Sequence, residues 1–194
     1  MSWRTTRLLI RGWTPADAPA LKAAIDGSLA ELKRWMSWAK NEPSELPVLE
    51  ERLARFQAEF AAGTHYACGI FARSGEEVLG GVSLIARIGP GALELGYWLR
   101  NDRTGRGYAT EAAAALSRVG LAMAGIERIE IRCDPGNRAS WAVAERLGYR
   151  LLRTSIEPVP YSDGEVAPTM VWSLSRSEAD AALAAWPPPT PTPR

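Results

Sequence analysis

Apolar positions recur along this chain with two periods, and the switches between them mark the elements. The run Thr6–Trp13 (TRLLIRGW) is short, apolar-rich and closed by a turn, which predicts a strand. Thr14-Pro15-Ala16-Asp17 then supplies a capping hydroxyl, a proline for the first helical position and an acid where the helix dipole favours one. Leu21, Ile25 and Leu29 give the helix that follows one apolar face. Leu32 to Trp38 (LKRWMSW) continues as helix or loop and carries two tryptophans. Ser44 is the cap candidate for an amphipathic helix built on Leu46, Leu49, Leu53, Phe56 and Phe60, with Glu50, Glu51, Arg52 and Arg55 on its solvated face and Gly63 at its end.

The period then falls to two. Strands are predicted at His65–Ala72, Glu77–Arg87 and Ala92–Arg100, joined by turns at Gly75 and Gly89-Pro90-Gly91, as an antiparallel meander. An Ala/Leu-rich helix runs to about Ala124, and Ile126–Cys133 alternates as a strand. Asn137 caps a helix bearing Ala139, Val143 and Leu147, which stops at Gly148. Tyr149–Ile156 and Thr169–Leu174 are the last strands. The layout is α+β, one domain over residues 1–176, with antiparallel strands entering one βαβ crossover. Residues 177–186 form a terminal helix and 187–194 a Pro-rich, flexible tail.

Composition narrows the function. With 23 basic and 22 acidic residues in 194, the net charge of +1 lacks the footprint of a nucleic-acid binder. Only Lys22, Lys33 and Lys40 are lysines, an arginine bias that reads as compositional drift. No run approaches a membrane span and no leader follows Met1, so the expectation is a soluble, cytoplasmic protein. Cys68 and Cys133 sit in apolar runs without metal spacing and read as small hydrophobes; no metal is expected. The single histidine, His65, reads as structural.

The strongest chemical signal is the passage from Ala92–Arg100 through Thr104-Gly105-Arg106-Gly107 into a helix. Its glycines admit positive φ, and the helix start presents unpaired N–H groups to an anion, with Arg103 and Arg106 beside them. A pyrophosphate fits. The nucleotide-binding P-loop is excluded because no lysine lies here. The dinucleotide fingerprint matches only in part, since Thr110 stands where a third glycine belongs, although Glu127 and Glu130 lie near the position of a ribose-binding acid.

Gly105–Ala112 (GRGYATEA), Asn137-Arg138-Ala139-Ser140 and Val143–Tyr149 together resemble the GNAT acyltransferases, and more closely the RimJ/RimL-like N-acetyltransferases. Leu32…Trp35-Met36-Ser37-Trp38, Glu94–Leu99 and Thr6–Arg11 are similar to the same group, so the likeness covers most of Thr5–Leu174. The resemblance implies a mixed, splayed sheet that takes acetyl-CoA between the strand ending near Arg100 and the one starting near Ile126. It places the pyrophosphate at Arg103, Gly105, Arg106, Gly107, Tyr108, Ala109 and Thr110. The pantetheine arm falls along the backbone of Tyr97, Trp98 and Leu99, and the thiol end at Asn137 and Ser140. One departure is Thr104, which stands where the family motif opens with Arg or Gln.

The implied reaction is direct attack of a primary amine on the thioester in a ternary complex. Glu94, on the same strand face as Gly96 and Trp98, is the candidate base, with a pKa raised by a partly apolar cleft. Otherwise it is an exposed glutamate or one paired with an arginine. The family's frequent leaving-group tyrosine is replaced here by Ala144, so Ser140 takes that part or serves as a first-turn serine bonding backbone. Leu32, Trp35 and Trp38 are placed on the acceptor wall. The implied acceptor is a protein or peptide N-terminal amine, or else a small metabolite or antibiotic. The partners exclude nucleic acid and membrane, and the chain acts as monomer or homodimer. A non-catalytic acyl-CoA-binding module is the reading of another class.

Overall fold

In the computed structural model residues 1–192 are described; Pro193 and Arg194 of the expected tail lie outside them. The chain opens with a hairpin of β1 (Ser2–Arg4) and β2 (Leu8–Gly12), followed by α1 (Ala18–Asp26), α2 (Leu29–Trp35) and α3 (Leu46–Ala62). The meander β3 (His65–Ala72), β4 (Val78–Ile85) and β5 (Ala92–Leu99) comes next. Then come α4 (Tyr108–Leu121), β6 (Arg128–Cys133), α5 (Arg138–Arg146), β7 (Arg150–Pro158), β8 (Val166–Ser175), α6 (Ala179–Ala182) and β9 (Thr190–Pro191). One sheet runs in the order β7-β8-β6-β5-β4-β3-β2-β1-β9. Its strands pair antiparallel except β5 and β6, which α4 joins as the expected βαβ crossover.

Both faces of the sheet's first half are covered, which explains why β2 reads as an unbroken Leu-Leu-Ile run. Leu8 and Ile10 pack with Leu84, Leu93 and α4, whereas Leu9 points the other way, into Trp13, Phe71, Leu21 and Leu53 of the layer built by α1 to α3. The alanines Ala112–Ala115 are all buried, so α4 lies close against the strands. At Gly120 the approach is tightest, and an added Cβ would stand 2.8 Å from Ile129 Cδ1.

Several boundaries differ from expectation. The first helix breaks at Gly27-Ser28, so Leu29 begins a new helix instead of extending the old face. The break lets the buried Ser28 Oγ accept a hydrogen bond from Asn101 N at 3.0 Å, tying the helical layer to the end of β5. Ser44 does not cap α3; Glu45 holds that position, and Ser44 Oγ accepts from Arg52 instead. The terminal helix shrinks to Ala179–Ala182, held by the buried Leu183. The Pro-rich segment is not wholly loose either: Thr190–Pro191 pairs with Arg4 and Trp3 and closes the edge at β1.

Gly81 of β4 shows how the strand meander shapes what lies above it. The Trp98 indole lies across it, and a Cβ on Gly81 would stand 2.5 Å from Trp98 Nε1. Overpacking of this kind costs about 1–3 kcal/mol. Gly81→Ala is therefore expected to lower unfolding stability in denaturant titration by that amount and to shift tryptophan fluorescence.

Candidate active site

The parallel pairing of β5 with β6 covers only Ala92–Glu94 against Arg128–Glu130. Beyond Glu94, β5 continues against β4 through Leu99, while β6 stays paired on its other side with β8 from Arg128 to Cys133. Among the described residues, Leu95–Leu99 therefore have no strand partner on the β6 side. A backbone edge with free N–H and C=O groups inside a V is a ready partner for an extended, amide-bearing ligand. Tyr97, Trp98 and Leu99 lie on this edge.

At the open end of β5 the chain turns through Asn101–Arg103 into the glycine-rich loop. Gly105 and Gly107 both take positive φ, +72° and +77°, a conformation that a side chain resists, and Gly107 is the N-cap of α4. Among the described residues, no N–H group from Gly105 to Thr110 donates to a turn, loop or side-chain acceptor. A Cβ on Gly105 would meet open space, so the loop's outer side is clear. These orphan donors at the positive end of a 14-residue helix form an anion cradle.

The side chains differ from the main chain. Arg103 is occupied by Glu77 (2.9 Å from Nε) and Asp102 (2.8 Å), which balance its charge. Arg106 is exposed, Tyr108 is half-buried and Thr110 is buried.

Across the V, Tyr97 reaches α5. Its hydroxyl donates to the Ser140 carbonyl at 2.9 Å and lies 3.3 Å from Ser140 Oγ. Burial pushes the phenol well above its ordinary pKa, more than the Ser140 bond lowers it, so Tyr97 remains a neutral donor. Ser140 is in turn held by Asn137, whose Oδ1 accepts from Ser140 N at 3.1 Å as the N-cap of α5. Cys133 lies beside the same hydroxyl, its thiol pushed up to about 11 by burial against a lowering bond from Ser140. It is a neutral thiol at physiological pH.

Glu94 stands at the vertex, buried, but its setting is ionic and not the expected apolar cleft. Arg87 grips both carboxylate oxygens, with Nε at 2.9 Å, and Arg132 Nε lies 4.0 Å away. The arginine-paired form is thus the one observed. On the same face Arg132 also binds Glu130 (2.9 Å) and Glu157 (2.6 Å), Arg128 binds Glu130 (2.9 Å), and Arg153 binds Glu157 (2.9 Å). This ion-pair chain covers the part of the sheet that α1 to α3 leave open. The partner of a strand glutamate on a neighbouring element left no trace in the local sequence pattern.

The acceptor-side residues divide. Leu32 is buried in the α1–α3 layer and does not line a cleft. Trp38 meets Trp98 with ring centroids 6.0 Å apart, and Trp35 carbons lie within 4 Å of where a Gly136 Cβ would stand, beside the loop that leads to Asn137. Ser37 Oγ donates to Pro160 O at 2.5 Å and Lys40 pairs with Glu165 at 2.6 Å, which fastens the β7–β8 loop to this segment. Sequence reading missed that loop and Arg87, because each acts through contacts made only in three dimensions. His65 of β3 pairs with Glu59 of α3 and sits opposite Ile85, whose other neighbour across the sheet is Glu94.

For Glu130, burial pushes the carboxyl up, but Arg128 and Arg132 outweigh it and hold it below the ordinary 4.5. For Glu157, Ser155 and the arginines Arg153 and Arg132 likewise outweigh burial. A native-state pKa below the unfolded one contributes stability above about pH 4.5 that is lost as pH falls through the lowered value. The melting temperature is expected to drop below that pH. Glu130→Gln is expected to lower it at pH 7 and to flatten the acid slope.

The family described as the acetyltransferase (GNAT) domain matches residues 7–150. YdaF of Bacillus subtilis (strain 168), named for ribosomal N-acetylation, is 26% identical over 144 residues, 73% of this chain and 77% of its own. Among solved structures, RimL, a ribosomal-protein alpha-N-acetyltransferase solved with coenzyme A, superposes with TM-score 0.77 at 24% identity, covering 88% of this chain and 95% of its own. The microcin self-immunity acetyltransferase MccE, in complex with acetyl-CoA and AMP, does so at 0.78 and 19%, covering 88% and 93%. At these identities the structures establish the shared fold. The splayed β5–β6 pair, the glycine turn at α4 and a domain match over most of the chain agree: the chain belongs to the GNAT acetyltransferase family, RimJ/RimL-like in its relatives, whose members are acetyl-CoA-dependent acyltransferases.

Proposed function

We propose that this protein moves an acetyl group from acetyl-CoA to the N-terminal α-amine of a protein or peptide. The observation that carries the reading is the pairing of an orphan-amide turn at Gly105–Thr110 with an unpaired strand edge at Leu95–Leu99. The one site offers ladder groups for an amide-bearing arm and donors for a pyrophosphate, in that order along the chain. The relatives named for ribosomal-protein acetylation favour an N-terminal amine over a small molecule.

Acetyl-CoA supplies an activated thioester when bound. Main-chain N–H groups of Gly105 to Thr110 hold the pyrophosphate, with the exposed Arg106 adding charge, and Arg103 contributes only its backbone. The β6-facing edge of Tyr97, Trp98 and Leu99 orients the arm. Asn137 serves by fixing the first turn of α5, which presents Ser140 to the departing sulfur. Glu94, at the closed end of the V, would take the proton released by the attacking amine, directly or through a water. Arg87 holds that carboxylate in place. Trp35 and Trp38 wall the acceptor approach under the clasped β7–β8 loop, and Leu32 supports them from behind.

Acetyl-CoA at millimolar concentration is expected to raise the melting temperature, since a ligand of the folded state stabilises it. Coenzyme A release measured over a panel of peptides and small amines decides the acceptor. Turnover on peptides supports the reading; turnover confined to small amines replaces it with the small-molecule one, and binding without turnover replaces it with a regulatory module. On the best acceptor, Glu94→Gln is expected to lower kcat about 100-fold or more. Ser140→Ala is expected to lower it about tenfold, the worth of one hydrogen bond to a charged group. Full turnover in both variants would remove those two assignments.

A further inference from the structure

The glycine turn is held from the opposite end of the chain by one residue. Arg7, just before β2, donates from Nη1 to the Arg106 carbonyl at 2.8 Å. The same guanidinium donates from Nε to Glu111 Oε2 at 2.7 Å and lies 4.8 Å above the Tyr108 ring. Its main-chain N–H donates to Glu111 Oε1 at 2.8 Å, and Thr5 Oγ1 donates to that oxygen at 2.6 Å. Glu111, in the first turn of α4, is buried with every one of these partners drawn from the Thr5–Arg7 segment.

We infer that Arg7 is a positioning residue for the pyrophosphate, setting the direction of the Gly107 N–H. The inference rests on the reading of the turn as the pyrophosphate site. In a trans peptide the C=O and the following N–H point to opposite sides. With the Arg106 carbonyl held inward by Arg7, the Gly107 N–H faces outward, where the orphan amides of α4 converge. Glycines at positive φ are the residues least able to hold such a turn unaided, because they lose the most conformational freedom on ordering. Arg7 also has an electrostatic part. A buried carboxylate in the first turn of α4 opposes an incoming anion, and the guanidinium neutralises it at contact distance. One side chain thus supplies both the geometry and the charge balance, from outside the ligand cleft.

The test compares wild type with Arg7→Gln and Arg7→Lys. Titration calorimetry with coenzyme A is expected to show affinity about tenfold weaker or more in Arg7→Gln, the scale of one charged hydrogen bond. On the best amine, the KM for acetyl-CoA rises in step while kcat and the amine KM stay within about twofold. Arg7→Lys keeps the charge beside Glu111 but lacks the planar fork that reaches two acceptors, so it is expected not to restore affinity. It also decides the matter if Arg7→Gln does not fold. Restoration by lysine, unchanged coenzyme A affinity, or a fall in kcat with KM intact would overturn the inference. A readout independent of the ligand is the Gly107 amide resonance of the free protein, which is expected to move in both variants. An unmoved resonance overturns the inference. Wild type that fails to bind coenzyme A while Gly107 responds to Arg7 overturns the pyrophosphate assignment and leaves the peptide-orienting contact standing.

Discussion

The parallel contact between β5 and β6 lasts three residues a side and then stops, and the rest of the molecule is organised around that interruption. Parallel strands joined by a crossover helix ordinarily pair along their length, since an unpaired ladder group inside a protein is costly. Here the cost is tolerated because α4 leaves β5 through a glycine turn and β6 is taken up by β8 on its other side. The gap has a closed end at Glu94 and Glu130 and an open end at the helix start. A ligand with an anionic head and an extended amide arm satisfies both kinds of orphaned group at once.

Hydrogen bonds from distant segments give this gap its shape. Tyr97 crosses from β5 to the first turn of α5, and Ser28 crosses from the helical layer to the end of β5. Each contact is local in space and remote in sequence, so the site is rigid only when the whole sheet is assembled. The ion-pair chain from Arg87 through Glu94, Arg132 and Glu157 does the same for the opposite face. It stands where a covering helix would otherwise bury the strands, and it turns the arginine excess of the composition into structure.

Legibility from the sequence followed the range of the forces involved. Strand and helix periods were readable wherever one layer packs directly on another, as in β2, α3 and α5. Gly63, Gly107 and Gly148 marked their positive-φ turns because glycine takes that conformation with no clash from a Cβ. The break at Ser28 was not readable, since the acceptor bond to Asn101 that it permits reaches 73 residues on. The tail's pairing with β1 was equally hidden, since a proline-rich stretch carries no strand pattern. Among site residues, the main-chain groups of the turn and the strand edge were legible because backbone geometry follows from glycine placement and from alternation. Side-chain roles were less so. Arg103 turned to Glu77, Leu32 turned into the core, and Glu94 met arginines in place of apolar neighbours.

By itself, then, the sequence determined the α+β class, the order of the elements, the glycine turn before α4 and the family to which these belong. Those are properties of neighbouring residues and of short periods. The tertiary structure alone decided which charges meet, where β5 and β6 part, and which far segment braces the turn. Partners of a charged or hydrogen-bonding side chain are chosen by proximity in space, and no local pattern encodes that proximity.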